Sequence, residues 1–331
     1  MGQESGSARQ ERRETRRRWT LITTVLSVAL GGYLLYRTLS GYSYADLRNA
    51  VAAIPASRLA AAGAFAAGSY LCLTVGDWLA LRAIGRPLAY RYVILAAFVA
   101  LGIGHSIGLS GLSSAAIRYR FYARRGLTLT ESAKMVVFCG LTVALGLMAL
   151  GAGALLLEPG LAQEITGLGR PAVTAVALAC LAGVALYLVG AAFVRKPLTI
   201  RRWSIEFPRL PLAAAQVAVG SVNFALVSAC LHQVLTAVSD VAYLGVASVF
   251  VIANAAVLVT NVPGGVGVIE SVVVHLLPKT DVIGPLLAFR FVYFLVPLGL
   301  GLALFAAAEI AFRRKPSAPR GQELRARESA T

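Results

Sequence analysis

Arginines alternate with aromatic residues in one short stretch of the chain, directly after a segment that is rich in glycine and serine. The planar guanidinium group binds phosphate through two parallel hydrogen bonds, and tyrosine is enriched at the level of lipid head groups in membrane proteins. Arginine-rich loops are common in membrane proteins, so the adjoining polar segment makes the pattern more specific than the charge alone. We predict that the following residues recognise a phosphate-bearing head group: His105, Ser106, Arg118, Tyr119, Arg120, Tyr122, Arg124 and Arg125.

A second polar turn interrupts a long apolar stretch in the C-terminal half of the chain, and a short apolar run follows it. Glycines that precede a helix leave free backbone N–H groups at its positive end, and this arrangement favours an anion. Simple flexibility at a kink is the alternative interpretation of the same glycines. The residues of this candidate site are Asn261, Pro263, Gly264, Gly265, Gly267 and Glu270.

Four ionisable residues lie within or at the edge of apolar segments, where a charge is costly and marks a functional hypothesis. Asp77 and Glu270 are predicted to neutralise a cationic head group, and Arg290 is predicted to hold Glu270 or a phosphate. A purely structural pair between Glu270 and Arg290 is the alternative. Tyr293 follows Arg290 by three residues. Glu309, near the end of the last apolar run, is expected to lie at a membrane interface.

These residues belong to a chain of 331 residues, of which 58% are apolar and only 14% are charged. Soluble domains are roughly 45–50% apolar and about 25% charged, so the composition excludes a soluble architecture. The net charge of +16 is interpreted as membrane topology and affinity for anionic lipid, not as affinity for nucleic acid. The four cysteines lie singly in apolar runs and are expected to be buried apolar residues. No catalytic group, metal site or cofactor is predicted.

The predicted fold is an all-α polytopic bundle in the membrane. A crossing of the hydrocarbon core needs roughly 20 apolar residues, and residues 42–55 are too short and are assigned to an interfacial helix. Two further apolar stretches, 92–117 and 241–277, contain polar interruptions and are predicted to be broken helical hairpins. The six predicted full spans are 19–39, 57–81, 134–157, 171–194, 211–236 and 282–309.

The distribution of lysine and arginine decides how the hairpins run. If residues 92–117 turn back, the loops on one side carry 25 basic residues and those on the other side carry five. The positive-inside rule favours this arrangement and places both termini in the cytoplasm. One hairpin then enters from each face, which is the pattern of an inverted repeat. The predicted parts are a basic cytoplasmic tail (1–18), one membrane domain (19–312) and a disordered cytoplasmic tail (313–331).

Three ordered motifs resemble those of a known family. The first extends from Gly104-His105 through Arg118-Tyr119-Arg120 to Arg125-Gly126-Leu127, and the second is the turn 263–270. The third consists of Arg290, Tyr293 and Pro297 in the last span. Together they resemble the lysylphosphatidylglycerol synthase transmembrane family, which includes the flippase portion of the multiple peptide resistance factor. The resemblance covers roughly residues 19–312, and it implies that Tyr293 belongs to the same site as Arg290.

This resemblance implies a lipid flippase or lipid transporter of the bacterial inner membrane, connected with resistance to antimicrobial peptides. Its substrate is expected to be membrane phospholipid, either anionic or aminoacylated phosphatidylglycerol. The sequence ends 22 residues after Glu309, so we expect no aminoacyl-transferase domain and no enzymatic activity. No nucleotide-binding motif is found, so movement is expected to be downhill or coupled to an ion.

Other functions and assemblies stay open at this point. The chain could present lipid to a separate synthase or envelope-biosynthesis enzyme without transporting it, and polyprenyl-phosphate and hopanoid pathways are included. A membrane enzyme that acts on polyprenyl-linked sugars is disfavoured, because the acidic residues of the outer loops are unpaired in the sequence. The head group and association into a homo-oligomer are not readable from the sequence.

Overall fold

The computed structural model describes residues 44–105, 110–194, 198–200, 203–205, 207–260, 268–276 and 282–314. The predicted span 19–39, the N-terminal tail and residues 315–331 lie outside this part of the chain. The described helices and strands, in chain order, are α1 (Tyr44–Ala52), α2 (Ala56–Ala83), α3 (Tyr90–Gly104), α4 (Ser110–Tyr122), α5 (Leu129–Leu157), α6 (Pro159–Thr166), α7 (Arg170–Phe193), β1 (Leu198–Ile200), β2 (Trp203–Ile205), α8 (Leu210–Leu235), α9 (Tyr243–Thr260), α10 (Val268–Leu276), α11 (Ile283–Arg290) and α12 (Val296–Arg314).

The described residues form the expected all-α membrane bundle. Five helical stretches among them are long and apolar enough to cross a membrane: α2, α5, α7, α8 and the stretch Ile283–Ala311, which joins α11 to α12. Each agrees with a predicted span to within a few residues. The largest difference is at the start of α5, which begins at Leu129 because Thr128 and Glu131 form a capping box there. Reciprocal capping satisfies two backbone donors and extends the helix by a polar turn.

The structure also contains small elements that the sequence did not predict. Helix α6 follows α5 directly, and β1 pairs with β2 in a short antiparallel hairpin. The short helix α1 agrees with the prediction for residues 42–55, and it packs against α11.

Helices α3 and α4 pack against each other and form the first predicted hairpin. Its two ends lie together, because the guanidinium carbons of Arg91 and Arg125 lie 4.8 and 3.6 Å from the ring centre of Tyr92. The chain therefore enters and leaves this hairpin at one end of the bundle. We call this end the basic pole; its arginines include Arg82, Arg86, Arg91, Arg120, Arg124 and Arg125.

The second hairpin is formed by α9 and α10, which also pack against each other. Val246 of α9 and Val273 of α10 line one cavity. The same cavity is lined by Glu158, Glu164 and Asp240, which follow the C-terminal ends of α5 and α8. Because α5 starts at the basic pole, its C-terminal end lies at the opposite end of the bundle, which we call the acidic pole. The second hairpin therefore starts and returns at the acidic pole.

Helices α2 and α8 form the centre of the bundle and run antiparallel. Arg58, near the start of α2, donates to Gln233, near the end of α8, at 3.0 Å. Ser69 donates to Asn223 at 2.7 Å in the middle, and each of these residues lies 13 positions after the first residue of its helix. Two helices that occupy equivalent places in the sequence therefore cross at equivalent residues, as an inverted repeat requires.

The contacts between the hairpins and the last spans also relate equivalent elements of the two halves. The first helix of each hairpin packs on the last span of the other half: α3 packs on α12, and α9 packs on α5. Small residues allow these close approaches, since a Cβ atom on Gly102 would lie 2.6 Å from the carbonyl oxygen of Pro297 in α12. At the α5–α8 crossing, Gly146 faces the backbone of Gly220. This order of packing agrees with the predicted inverted repeat.

Candidate functional site

A buried ion pair joins the first hairpin to the central helix α2. The Nε of Arg118 donates to Oδ2 of Asp77 at 2.8 Å, and its Nη2 donates to Oδ1 at 2.9 Å. The side chains are only 5% and 1% exposed. This is the bidentate geometry in which a guanidinium binds a carboxylate or a phosphate most strongly. The pair is therefore a strong local contact in a place where unpaired charge would be very costly.

Neutral polar groups complete this site. The third guanidinium nitrogen, Nη1 of Arg118, donates to the hydroxyl of Ser114 at 3.0 Å, one helical turn earlier on α4. The Tyr122 hydroxyl and the Cys139 thiol each lie 3.5 Å from an oxygen of Asp77. Helices α2, α4 and α5 thus each supply a group to one buried polar cluster, which we call the Asp77 cluster.

A second charged cluster lies at the basic pole, where α4 meets the end of α12. Arg120 donates to Oε1 of Glu309 at 2.9 Å, and Arg124 contacts the same oxygen at 3.5 Å. Glu309 is buried, whereas both arginines are partly exposed. Partial burial lowers the pKa of Arg124 while the Glu309 carboxylate acts in the opposite direction, and the guanidinium keeps its charge at neutral pH. These contacts hold the end of the first hairpin against the last span.

A neutral polar cluster occupies the centre of the bundle, where α2 and α8 cross. The hydroxyl groups of Ser69 and Tyr293 lie 2.9 Å apart, and Ser69 also donates to Asn223. Tyr70 donates to the backbone carbonyl of Tyr293 at 3.2 Å. His105, at the end of α3, lies beside Tyr70 with 6.0 Å between the ring centres. Its Nδ1 is buried and makes no hydrogen bond with the described residues.

The helix is irregular at this central cluster. Residues Phe291–Leu295 form one π-helical turn between α11 and α12, and Tyr293 lies within it. Such turns displace backbone hydrogen bonds and occur often at functional sites. Arg290 precedes the π turn directly, is 6% exposed, and its guanidinium lies 5.8 Å from the ring centre of Phe294. A buried cation and an irregular turn therefore adjoin the polar crossing.

The structure assigns partners that differ from those predicted for several residues. Asp77 and Arg118 were expected to bind a cationic group and a phosphate separately, but they bind each other. Arg120 and Arg124 were expected to contact phosphate, and they contact Glu309. Among the other predicted residues, Tyr119 is exposed on α4, Tyr122 belongs to the Asp77 cluster and Arg125 stacks on Tyr92.

The second predicted motif falls largely outside the described residues. Ser106, Asn261, Pro263, Gly264, Gly265 and Gly267 lie outside them, as does the side chain of Glu270, whose backbone belongs to α10. The predicted contact between Glu270 and Arg290 stays a prediction. The four cysteines were expected to be buried apolar residues. Cys230 is buried, but Cys72, Cys139 and Cys180 are only half-buried, and the Cys139 thiol belongs to the Asp77 cluster.

Several residues of these clusters were not predicted as site residues, among them Ser69, Tyr70, Ser114 and Asn223. Ser69 and Asn223 lie singly in apolar runs, and only their equivalent places in two helices could have indicated a contact. Glu309 was assigned to the interface because of its position near the end of a span, whereas the structure buries it under Arg120 and Arg124.

Sequence comparisons with known proteins show relatives of this chain. No protein-family model matches the chain. The inner membrane protein YbhN of Escherichia coli is 28% identical over 251 residues, which cover 73% of this chain and 77% of YbhN. The uncharacterized protein slr0712 of Synechocystis sp. is 30% identical over 310 residues, which cover 90% of this chain and 96% of the relative. Because this chain and slr0712 align over almost their whole lengths, the chain belongs to the same family as Synechocystis slr0712.

Proposed function

We propose that the protein is a phospholipid flippase of the bacterial inner membrane, which moves anionic or aminoacylated phosphatidylglycerol-type lipids between leaflets. The observation that carries this proposal is the buried Asp77–Arg118 pair between a full span and a broken helical hairpin. Ionisable residues at such depth are rare in membrane proteins and mark pathways for polar substrates. The resemblance to the lysylphosphatidylglycerol synthase transmembrane family supports the same substrate class.

The geometry of the pair suggests how the hairpin is released. A lipid phosphate presents two oxygens to a guanidinium in the same way as the Asp77 carboxylate does. A phosphate that replaces the carboxylate on Arg118 keeps the guanidinium paired and removes the contact that holds α4 to α2. The structure then corresponds to a closed state of the basic pole, and substrate binding shifts the equilibrium towards an open one.

In the inverted repeat, the second hairpin would open the acidic pole as the first hairpin opens the basic pole. The cavity at the acidic pole has a volume of about 350 Å³ and is lined by three carboxylate residues and by apolar residues of α9 and α10. This combination suits a cationic head group that is attached to an apolar tail. Alternating opening of two hairpins around a polar centre is the usual behaviour of inverted-repeat transporters. The head group would pass Ser69, Asn223 and Tyr293 while the acyl chains stay in lipid.

The orientation follows from charge. The basic pole faces the cytoplasm under the positive-inside rule, so both termini are cytoplasmic and the acidic pole faces outwards. The relative YbhN carries the name of an inner membrane protein, in agreement with this location. We include no enzymatic step in the proposal, and the expected partner is membrane phospholipid.

A non-transporting role is the second candidate. In it, the protein presents lipid to a separate synthase or envelope-biosynthesis enzyme. The observation in its favour is that Arg118, Arg120 and Arg124 are all bound to carboxylates of the bundle. Such contacts would stabilise a rigid scaffold that stays closed.

Reconstitution distinguishes the two candidates. The full-length protein is placed in vesicles that contain fluorescent phosphatidylglycerol, and dithionite reports the fraction of label that reaches the outer leaflet. We expect wild-type protein to accelerate exchange and Arg118→Gln to slow it at least tenfold. Arg86→Gln is the matched control, because Arg86 is an exposed arginine at the same pole that pairs with Glu131. Equal exchange in empty vesicles, wild type and Arg118→Gln would contradict the flippase and leave the presenting role.

A further inference from the structure

The arginines of the basic pole fall into two groups. Arg86 is bound to Glu131, Arg118 to Asp77, and Arg120 and Arg124 share Glu309. Arg82, Arg91 and Arg125 form no ion pair with a carboxylate of the described residues. The guanidinium carbon of Arg82 lies 3.6 Å from the ring centre of Trp78, whereas Arg91 and Arg125 share another ring. Both are exposed, and both converge on the ring of Tyr92, which is 38% exposed itself.

The backbone fixes this convergence. Arg91 is the second residue of α3, and Arg125 ends a single 3₁₀ turn that follows α4. Gly126 then reverses the chain with a φ angle of +87°, a conformation that glycine adopts without a steric penalty, and Leu127 is buried behind it. The two ends of the hairpin therefore bring their guanidinium groups to one aromatic ring.

Stacking on the Tyr92 ring does not use all the hydrogen-bond donors of each guanidinium group. A guanidinium over an aromatic face keeps its N–H edge free to donate, so stacking and phosphate binding are compatible. Two positive charges that lie within 5 Å of one ring centre repel each other, and an anion between them relieves that repulsion. Tyrosine also favours the head-group region of a membrane. These features point to one ligand chemistry.

We propose that Arg91, Tyr92 and Arg125 form a binding site for a phosphate group, supplied by the head group of an anionic phospholipid or by free phosphate. This site deepens the proposed function, since it lies at the two ends of the hairpin that the substrate would release. Arg125 is one of the arginines for which the sequence predicted phosphate recognition, whereas Arg91 and Tyr92 are further residues of the site. Lipid bound here would be held beside the Asp77 cluster before the head group enters the bundle.

Binding to the purified full-length protein in uncharged detergent tests the site. The probes are a water-soluble short-chain phosphatidylglycerol, inorganic phosphate, and a short-chain diacylglycerol that lacks the phosphate. We expect Arg91→Gln and Arg125→Gln each to weaken phosphatidylglycerol binding about tenfold, the loss typical of one charge-assisted contact. Arg86→Gln removes the same charge from the same pole and should change the affinity less than about twofold, because its guanidinium is already paired.

The remaining arms identify the source of the phosphate and exclude misfolding. Weakened binding of inorganic phosphate in both variants supports a site for free phosphate as well, whereas an effect on phosphatidylglycerol alone supports a lipid site. Arg125→Lys keeps the charge but loses the planar fork, so partial loss in this variant supports bidentate recognition in a folded protein. Unchanged affinities in Arg91→Gln and Arg125→Gln, or equal binding of diacylglycerol, would overturn the proposal.

The outcome is separable from that of the exchange assay. Phosphate binding that depends on both arginines, in a protein that moves no lipid, would contradict the flippase and leave this site in place. Lipid exchange in a protein whose binding ignores both arginines would contradict this site alone.

Discussion

Neutralising one member of the Asp77–Arg118 pair should destabilise the protein more than neutralising both. In Asp77→Asn, a guanidinium that is only 5% exposed loses its negatively charged partner and one of the two acceptor oxygens, and it keeps the hydroxyl of Ser114. In Arg118→Gln, the buried carboxylate keeps only the weak contacts to Tyr122 and Cys139 at 3.5 Å. Breaking a buried pair in this way costs about 3–5 kcal/mol, because an uncompensated charge remains.

The double variant Asp77→Asn/Arg118→Gln removes both charges and leaves two amides of similar size. Without a buried charge its unfolding free energy should lie closer to wild type than that of either single variant, since the penalty comes from the unpaired ion. The resulting coupling energy is expected to be about 2 kcal/mol or more, within the range for residues in direct contact. Arg86→Gln sets the scale for an exposed pair, whose side chains are 51% and 21% exposed, at about 0–1 kcal/mol.

Equilibrium unfolding in mixed micelles, followed by helical circular dichroism, measures these four variants. A double variant that loses as much unfolding free energy as the two single variants together, or more, would contradict a dependence between the two charges. So would an Asp77→Asn variant that loses no more unfolding free energy than Arg86→Gln. Either result would mean that the two charges are solvated in the membrane-embedded protein and do not depend on each other.

Two further predictions concern helix packing and the central polar cluster. Gly146→Ala places a methyl group against the backbone of Gly220 and should lower the unfolding free energy by about 1–3 kcal/mol. Gly140→Ala is the control in the same helix, because its methyl group meets no atom within 4 Å and should be neutral or stabilising. Unfolding in micelles measures both variants. Tyr293→Phe removes the hydroxyl that lies 2.9 Å from the hydroxyl of Ser69 and should lower the unfolding free energy by about 1 kcal/mol without changing the helix content. An unchanged unfolding free energy would show that this contact contributes nothing to stability.

Five of the six predicted spans, those among the described residues, and the first hairpin could be predicted because their signals are local or additive. A run of about 20 apolar residues is enough to identify a crossing, and the count of basic residues on each side determined that residues 92–117 return to their starting side. The structure agrees, since Arg91 and Arg125 meet at Tyr92. The start of α5 was placed five residues late because Thr128 and Glu131 extend the helix with polar residues, which a hydropathy criterion does not count.

The partners within the site could not be predicted. Asp77 and Arg118 are 41 residues apart and lie on helices of different length, so no periodicity relates them. Their residue types indicated a polar site in the fold, but not the contact between them, because charges in an apolar chain suggest a ligand and a neighbouring helix equally well. Glu309 shows the same ambiguity at a helix end: an acidic residue there is stable in water or under two arginines.

The energetics of the Asp77 cluster bear on its role beyond stability. A buried ion pair is often no better for stability than well-packed apolar residues of similar volume. Close packing holds other helices of this bundle together, including α5 and α8, which glycines bring into backbone contact. A bidentate arginine at the junction of a span and a broken hairpin therefore adds little that apolar residues would not provide, except the ability to exchange its carboxylate for another oxyanion. The proposed flippase would use that ability to take up a lipid head group, which the proposed phosphate site at Tyr92 would hold beside the Asp77 cluster.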